Sequence, residues 1–356
     1  MSHLPSCIDY IIAIETPQLL KARELHGGCV VLKNGKPLRY AGGFCVVFPY
    51  ILATGRKVAV RCWIANVSNA DKRTNLISTK IKDSGLPYFV GFEYVSHGIM
   101  TALGEFPIVI MDWVEAVSLK DYIKKNLHDQ SALRALADSF SHMVKDLHKY
   151  EFSHGDLQHG NIMVDSTGKL FLVDYDSMFV PGLEGEADEI KGLSGYQHPG
   201  RNKLKFLSSK ADYFSELIIY TSILAIAKYP DLWTELDIED TETLIFSQDD
   251  IENPSRSALL SRLKNDTEIQ PCIEAIENAL NESNIDNLQP LELALKPSST
   301  IIAESLQEKW KPRYIPKIEP TAPINIAPIS EKWVKRQQQN PEPLPIDVSA
   351  ITNKWK

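Results

Sequence analysis

All 18 glycines of this chain lie at or before Gly200, leaving the last 156 of its 356 residues without one. Tight turns and left-handed backbone draw on glycine, so turn-rich β structure belongs to the first part and helices to the remainder. Cys29-Val30-Val31-Leu32, Asn34-Gly35 and Leu38 to Tyr40 predict a hairpin closed by an Asn-Gly turn. Phe44 to Phe48 and Val58 to Trp63 read as two further strands, with Thr54-Gly55 turning between them, and Phe106 to Met111 as a fourth. Periodicity then switches. Leu133, Leu136, Phe140, Met143/Val144 and Leu147 recur at helical spacing and predict an amphipathic helix over 131–150. More helices are expected at 211–228, 256–264 and 270–282.

Composition narrows the class. With 44% hydrophobic and 24% charged residues the chain can build a sizeable core, which excludes wholesale disorder and a disulfide mini-scaffold. It holds no apolar run of about 18 residues, so no membrane span is expected. The N-terminus shows no secretory pattern. Five scattered cysteines without a C-x-x-C point to reduced thiols in a cytoplasmic protein. A net charge of −8 without a basic block argues against nucleic acid as the main partner.

Ten of the 21 prolines fall in the last 67 residues, which predicts an extended, poorly packed tail. Leu306 to Trp310, Ile329 to Trp333 and Ile351 to Trp355 share an [I/L]-x-x-K-W pattern, the tryptophans being 23 and 22 residues apart. An indole buries a large area in a suitable groove, so Trp310, Trp333 and Trp355 suggest a three-copy motif that docks a partner protein or the chain's own surface.

The richest segment runs from Ser153 to Asn161, and Leu170 to Asp176 comes close behind it. The apolar stretch from Gly168 to Val173 separates Asp156 and Asn161 from Asp174. A hairpin there would bring two carboxylates and a carboxamide to one edge. Hard oxygen donors of that kind suit Mg²⁺ shared with phosphates, and a further carboxylate can accept a proton from a nucleophilic hydroxyl.

At these residues the chain resembles the protein kinase superfamily, most of all the eukaryotic-type protein kinase-like proteins of bacteria, over residues 25–285. His154, Asp156 and Asn161 match the H-x-D-x-x-x-x-N catalytic loop, and Asp174-Tyr175-Asp176 matches D-F-G. The resemblance implies Asp156 as catalytic base, Asn161 and Asp174 as Mg²⁺ ligands, and ATP as donor. Met111-Asp112-Trp113-Val114 resembles the hinge that pairs with adenine, with Met111 as gatekeeper. Ala59-Val60-Arg61 sits where the family has V-A-I-K, and Gly42-Gly43-Phe44-Cys45-Val46-Val47 resembles the glycine-rich loop. Gly192 to Pro199 resembles the end of an activation segment, and Asp212-x-x-Ser215 the buried helix start beyond it. The implied architecture is α+β and bilobal: an extension at 1–24, a small β-rich lobe at 25–114, a larger helical lobe at 115–288, and the proline-rich tail at 289–356.

Several positions depart from the family pattern. Arg61 replaces the phosphate-binding lysine, and the exchange is not conservative because a guanidinium is larger and planar. No glutamate lies at the expected helix position within 69–83, where Ile77 falls near the slot. Gln158 replaces the catalytic-loop lysine, Gly155 the arginine beside the base, and Leu193 the usual threonine. The reading is an ATP- and Mg²⁺-dependent kinase acting on Ser or Thr of a protein substrate, with Asp156, Gln158 and Arg61 in the chemistry. A pseudokinase scaffold and a small-molecule phosphotransferase, suggested by His154-Gly155-Asp156-Leu157, are its rivals.

Overall fold

The computed structural model describes residues 4–65 and 69–296. Of the expected tail, residues 289–296 are described and pack on the helical half, with Leu291 fully buried, whereas the remainder and its tryptophan repeats lie outside the described residues.

Helix α1 (Cys7–Glu15) opens on a capping box between Ser6 and Asp9. Strand β1 (Cys29–Val30) comes next. Strands β2 (Leu32–Lys33) and β3 (Lys36–Pro37) then form the Asn-Gly hairpin, shorter than expected because Cys29, Val30 and Tyr40 pair with the strand over 45–51 instead. Asn34 and Gly35 have φ of 52° and 73°, the left-handed pair such a turn requires. After them come β4 (Tyr40–Ala41), β5 (Cys45–Ile51) and β6 (Lys57–Trp63), then α2 (Ala70–Ser84), β7 (Phe92–Thr101) and β8 (Gly104–Asp112). These make an antiparallel sheet in the order β1-β5-β6-β8-β7, with β4 also paired to β5.

Alternation along the strands gives the sheet two apolar faces. Val58, Val60 and Cys62 of β6 join Val46, Phe48 and Tyr50 of β5 in a core covered by Tyr10, Ala13 and Ile14 of α1. Ala59 and Trp63 face the other way, into the core shared with α2 and the helical half. The N-terminal residues thus close the outer face of the sheet. β7 was not expected from sequence, because Ser96-His97-Gly98 interrupts its alternation. The register shifts between Val95 and Ile99, and the Ile108 side chain takes the space a Cβ on Gly98 would need.

The second half begins with β9 (Ala116–Ser118), α3 (Leu119–Lys125) and α4 (Gln130–Lys149). β10 (Ile162–Asp165) and β11 (Leu170–Leu172) form a hairpin that also pairs β9. The chain continues through α5 (Tyr213–Lys228), α6 (Leu232–Glu235), α7 (Gln248–Glu252), α8 (Ala258–Lys264), α9 (Gln270–Asn281) and α10 (Leu291–Ala294). α4 buries Leu133, Leu136, Phe140, Met143, Val144 and Leu147, the stripe that its spacing announced. α5 is buried on nearly all sides and runs through the core. No helix among the described residues is long and apolar enough to cross a membrane.

Candidate active site

Between β11 and α5 the chain runs through 40 residues whose only regular element is a 3-10 turn at Pro199–Lys203. A segment of that length without helix or strand is uncommon in a compact domain and usually serves a site. Polar anchors hold it. Ser153 and Phe179 exchange backbone hydrogen bonds of 2.9 and 3.1 Å. Arg201, 1% exposed, reaches Asp188 at 3.0 Å and donates to the Gly155 carbonyl at 3.1 Å.

The loop 153–161 is clamped from below. Asp212, at the start of α5, accepts hydrogen bonds from the backbone N–H of His154 and, at 2.9 Å, of Gly155. Gly155 has φ +77°, and a Cβ there would overlap the Ser177 carbonyl. The arginine expected beside the base is absent because no side chain fits. His154 turns Nε2 to the Val173 carbonyl at 2.9 Å.

Asp156 emerges from this clamp with both oxygens engaged. Oδ2 accepts from Asn161 Nδ2 at 3.1 Å and Oδ1 from the Leu193 N–H at 2.9 Å. The backbone of residue 193 therefore reaches Asp156 although its side chain has no hydroxyl to offer. Burial pushes the Asp156 carboxyl above the usual carboxylate range, against the opposing pull of His154 and the Leu193 N–H.

The β10–β11 hairpin forms as its sequence suggests. The Val173 N–H donates to the Asn161 carbonyl at 3.0 Å, which sets Asp174 at the same edge as Asn161. Asp174 has φ +68°, a conformation that costs a non-glycine residue energy and recurs where a site demands it. Loss of water around Asp174 in the cleft, with neighbouring Asp176, holds its carboxyl above the usual range although the side chain is still partly open, and Arg61 opposes them. Tyr175 points inward, packs on Phe92 and Phe89, and donates to the Leu172 carbonyl at 2.6 Å.

Across the cleft, Arg61 on β6 meets Asp176 and, at 3.2 Å, Asp174. Burial works against its charge, but the two carboxylates outweigh it and hold the guanidinium protonated. Asp176 was not singled out from the sequence. The signal was there, a second aspartate where the family carries glycine, but only the structure gives it a partner. Arg73 of α2 was missed as well; it is buried and donates to the Asp176 carbonyl at 2.7 Å.

The remaining expected residues line up on the sheet. Val47 lies opposite Arg61, and Ala59 opposite Met111. Met111 is buried and borders a cavity of about 20 Å³ with Arg61, Ile77 and the segment 174–176. Asp112 is exposed and pairs with Arg56 at 2.8 Å, and Val114 packs on the main core. Gly42 and Gly43 form the β4–β5 turn, where a Cβ at either would meet nothing within 4 Å. The fold does not require glycine there, and the space above the loop is open. Gln158 turns onto its own loop, its Oε1 accepting from the Gly160 N–H at 2.6 Å.

A twisted β-sheet over a helical half, with an acidic loop facing a buried cation, defines a kinase-type domain. The family model for the protein kinase domain matches residues 41–281, and the chain belongs to that family. No curated protein matches it.

Proposed function

We propose that the chain is an ATP- and Mg²⁺-dependent protein kinase that transfers the γ-phosphate to Ser or Thr of a protein substrate. The observation that carries this reading is the placement of Asp156, Asn161 and Asp174 at one edge, faced by Arg61.

The donor set fits the cation. Asn161 uses its amide nitrogen on Asp156, and its side-chain carbonyl accepts no hydrogen bond from the described residues. Asp174 keeps a side chain 45% exposed. Two hard oxygens beside a phosphate site suit Mg²⁺, which retains water and is held by few protein ligands. When bound, the metal would neutralise charge on the transferring phosphoryl group. Asp156 would orient the acceptor hydroxyl and take its proton, helped by the raised affinity that burial gives it. Arg61 would offer the phosphates its guanidinium. Adenine would lie between Val47, Ala59 and the backbone of 111–114. The cytoplasm supplies both ATP and Mg²⁺ and is the proposed location.

Gln158 favours a second reading, nucleotide binding without transfer, since it brings no cation to the phosphate and is already spent on Gly160. Labelled γ-phosphate transfer from ATP with Mg²⁺ decides between them, with the full chain beside Asp156→Ala and Asp174→Ala. Label on the chain or on an acceptor protein, lost at least 100-fold in both variants, is the expected result, a base alone contributing about 10² to 10⁴. Mg²⁺-dependent ATP binding without any label would favour the scaffold. The tail motif belongs to the same proposal as a dock for a partner protein or for the chain's own surface, and deleting 298–356 should then change activity or remove a bound protein.

A further inference from the structure

The carboxylate that holds Arg61 does not come from the helix. α2 presents Ile77 to the cavity beside Arg61, and no acid of α2 pairs with this cation among the described residues. Asp71, in the first turn of α2, stands near Tyr94 instead.

The two aspartates that meet Arg61 are unequal. The Arg61 side chain is 7% exposed, that of Asp176 13%, and that of Asp174 45%. Asp176 is thus the enclosed partner, and Asp174 remains open toward the cleft. Arg73 adds the connection to α2, not through a carboxylate but by donating at 2.7 Å to the main-chain carbonyl of Asp176. Lys72 and Asn69 of the same helix hold Glu186, further along the segment, at 2.9 Å each. The helix therefore contributes cations and an amide, and the segment contributes the acids.

We propose that Asp176 is the positioning residue for Arg61. It fixes the guanidinium so that its remaining N–H groups face the nucleotide phosphates, and it spares Asp174 for the metal. Through Arg73, the position of α2 is tied to the backbone of residue 176, so displacement of the helix loosens Arg61. The physical basis is the cost of a buried cation with one partner removed. Without the Asp176 carboxylate, Asp174 is the one carboxylate left to Arg61 among the described residues, and that contact competes with Mg²⁺ for the same oxygens. This inference rests on the nucleotide-binding reading above, and its tests are arranged so that the two can fail separately.

Calorimetric titration with ATP and Mg²⁺ is the first measurement, on the full chain and on Asp176→Asn. Affinity is expected to fall about tenfold or more, with more Mg²⁺ needed for half-saturation. The second measurement adds Ile77→Glu to Asp176→Asn. A carboxylate returned from the α2 side of the same cavity is expected to restore most of the lost affinity, which a merely structural role of Asp176 would not allow. The third needs no nucleotide: a thermal-unfolding cycle of Arg61→Met, Asp176→Asn and the double variant. Non-additive melting shifts are expected, because the second substitution removes a contact already lost.

Unchanged ATP affinity in Asp176→Asn overturns the proposal, and so do additive melting shifts. Weak binding that Ile77→Glu leaves unrepaired, together with loss of Mg²⁺ dependence, would make Asp176 a metal ligand and overturn it as well. A wild-type chain that binds no ATP sinks the phosphotransfer reading, while the nucleotide-free cycle still judges the ion pair.

Discussion

The two walls of the cleft are built on different terms. On the lower wall, Asp156, Asn161 and Asp174 keep both the residue types and the spacing of the protein kinase family, and a buried scaffold of Asp212, Arg201 and Gly155 holds them. On the upper wall, lysine has become Arg61, the helix acid has become Ile77, and the counter-ion has moved to Asp176. In the proposed roles of base and metal ligands these residues have narrow geometric tolerance, because a proton or a metal bond must be met at a fixed atom. A cation for phosphate can be supplied in several ways, provided that a carboxylate answers it in the dry interior.

The difference can be broken from either side. On the lower wall, Gly155→Ala is expected to have the largest effect on the fold. A left-handed alanine costs about 1–2 kcal/mol. Overlap with the Ser177 carbonyl adds a further 1–3 kcal/mol or so. Urea unfolding should show a loss of about 2–5 kcal/mol from these two causes together. A loss within a few tenths of a kcal/mol would mean that the clamp yields.

Beneath that wall, His148 of α4 sits between Glu216 of α5 at 2.8 Å and Glu292 of α10 at 3.0 Å, with the Tyr213 ring edge-on at 5.0 Å. Burial alone would lower its pKa, but the two glutamates outweigh burial and raise it to about 10. Burial likewise leaves Glu216 above its ordinary range, whereas His148 draws Glu292 below its own. Because the folded pKa of His148 is raised, its contribution to stability is full below about 6.5, declines above it, and is gone once pH passes about 10. His148→Gln, which keeps a hydrogen bond but not the charge, should cost about 1.5–3 kcal/mol near pH 6. Unfolding curves of both chains should converge as pH rises to about 10. A difference that stayed constant across that range would show that the imidazole is neutral in the fold.

On the upper wall the expected effect is smallest. Arg61→Lys keeps the charge but loses the planar guanidinium, whose Nη2 donates to both Asp174 and Asp176, so ATP affinity should drop by about tenfold, or 1.4 kcal/mol. A loss as large as that of Asp156→Ala in phosphate transfer would erase the distinction between the walls.

Legibility in the sequence obeys the same divide. The helix over 130–149, the Asn-Gly hairpin and the strands β5, β6 and β8 rest on local periodicity and turn chemistry, which any window of the chain displays. The loop from His154 to Asn161 and the Asp174 hairpin rest on spacing. By contrast β7 depends on a glycine chosen for Ile108, a residue ten positions away. α1 finds its place only against the far face of a sheet it precedes. Arg61 with Asp176 joins residues 115 apart. Sequence showed that the usual counter-ion was missing, but a substitute displaced through space leaves no local pattern.

The most direct measurement is a crystal structure of the full chain with a non-hydrolysable ATP analogue and Mn²⁺, located by its anomalous signal. The expected result has the metal on Asn161 and Asp174, Asp176 still paired with Arg61, and the guanidinium against the phosphates. A nucleotide bound without metal at Asn161 and Asp174, or Arg61 turned away from the phosphates, would contradict the assignment of this cleft to phosphoryl transfer.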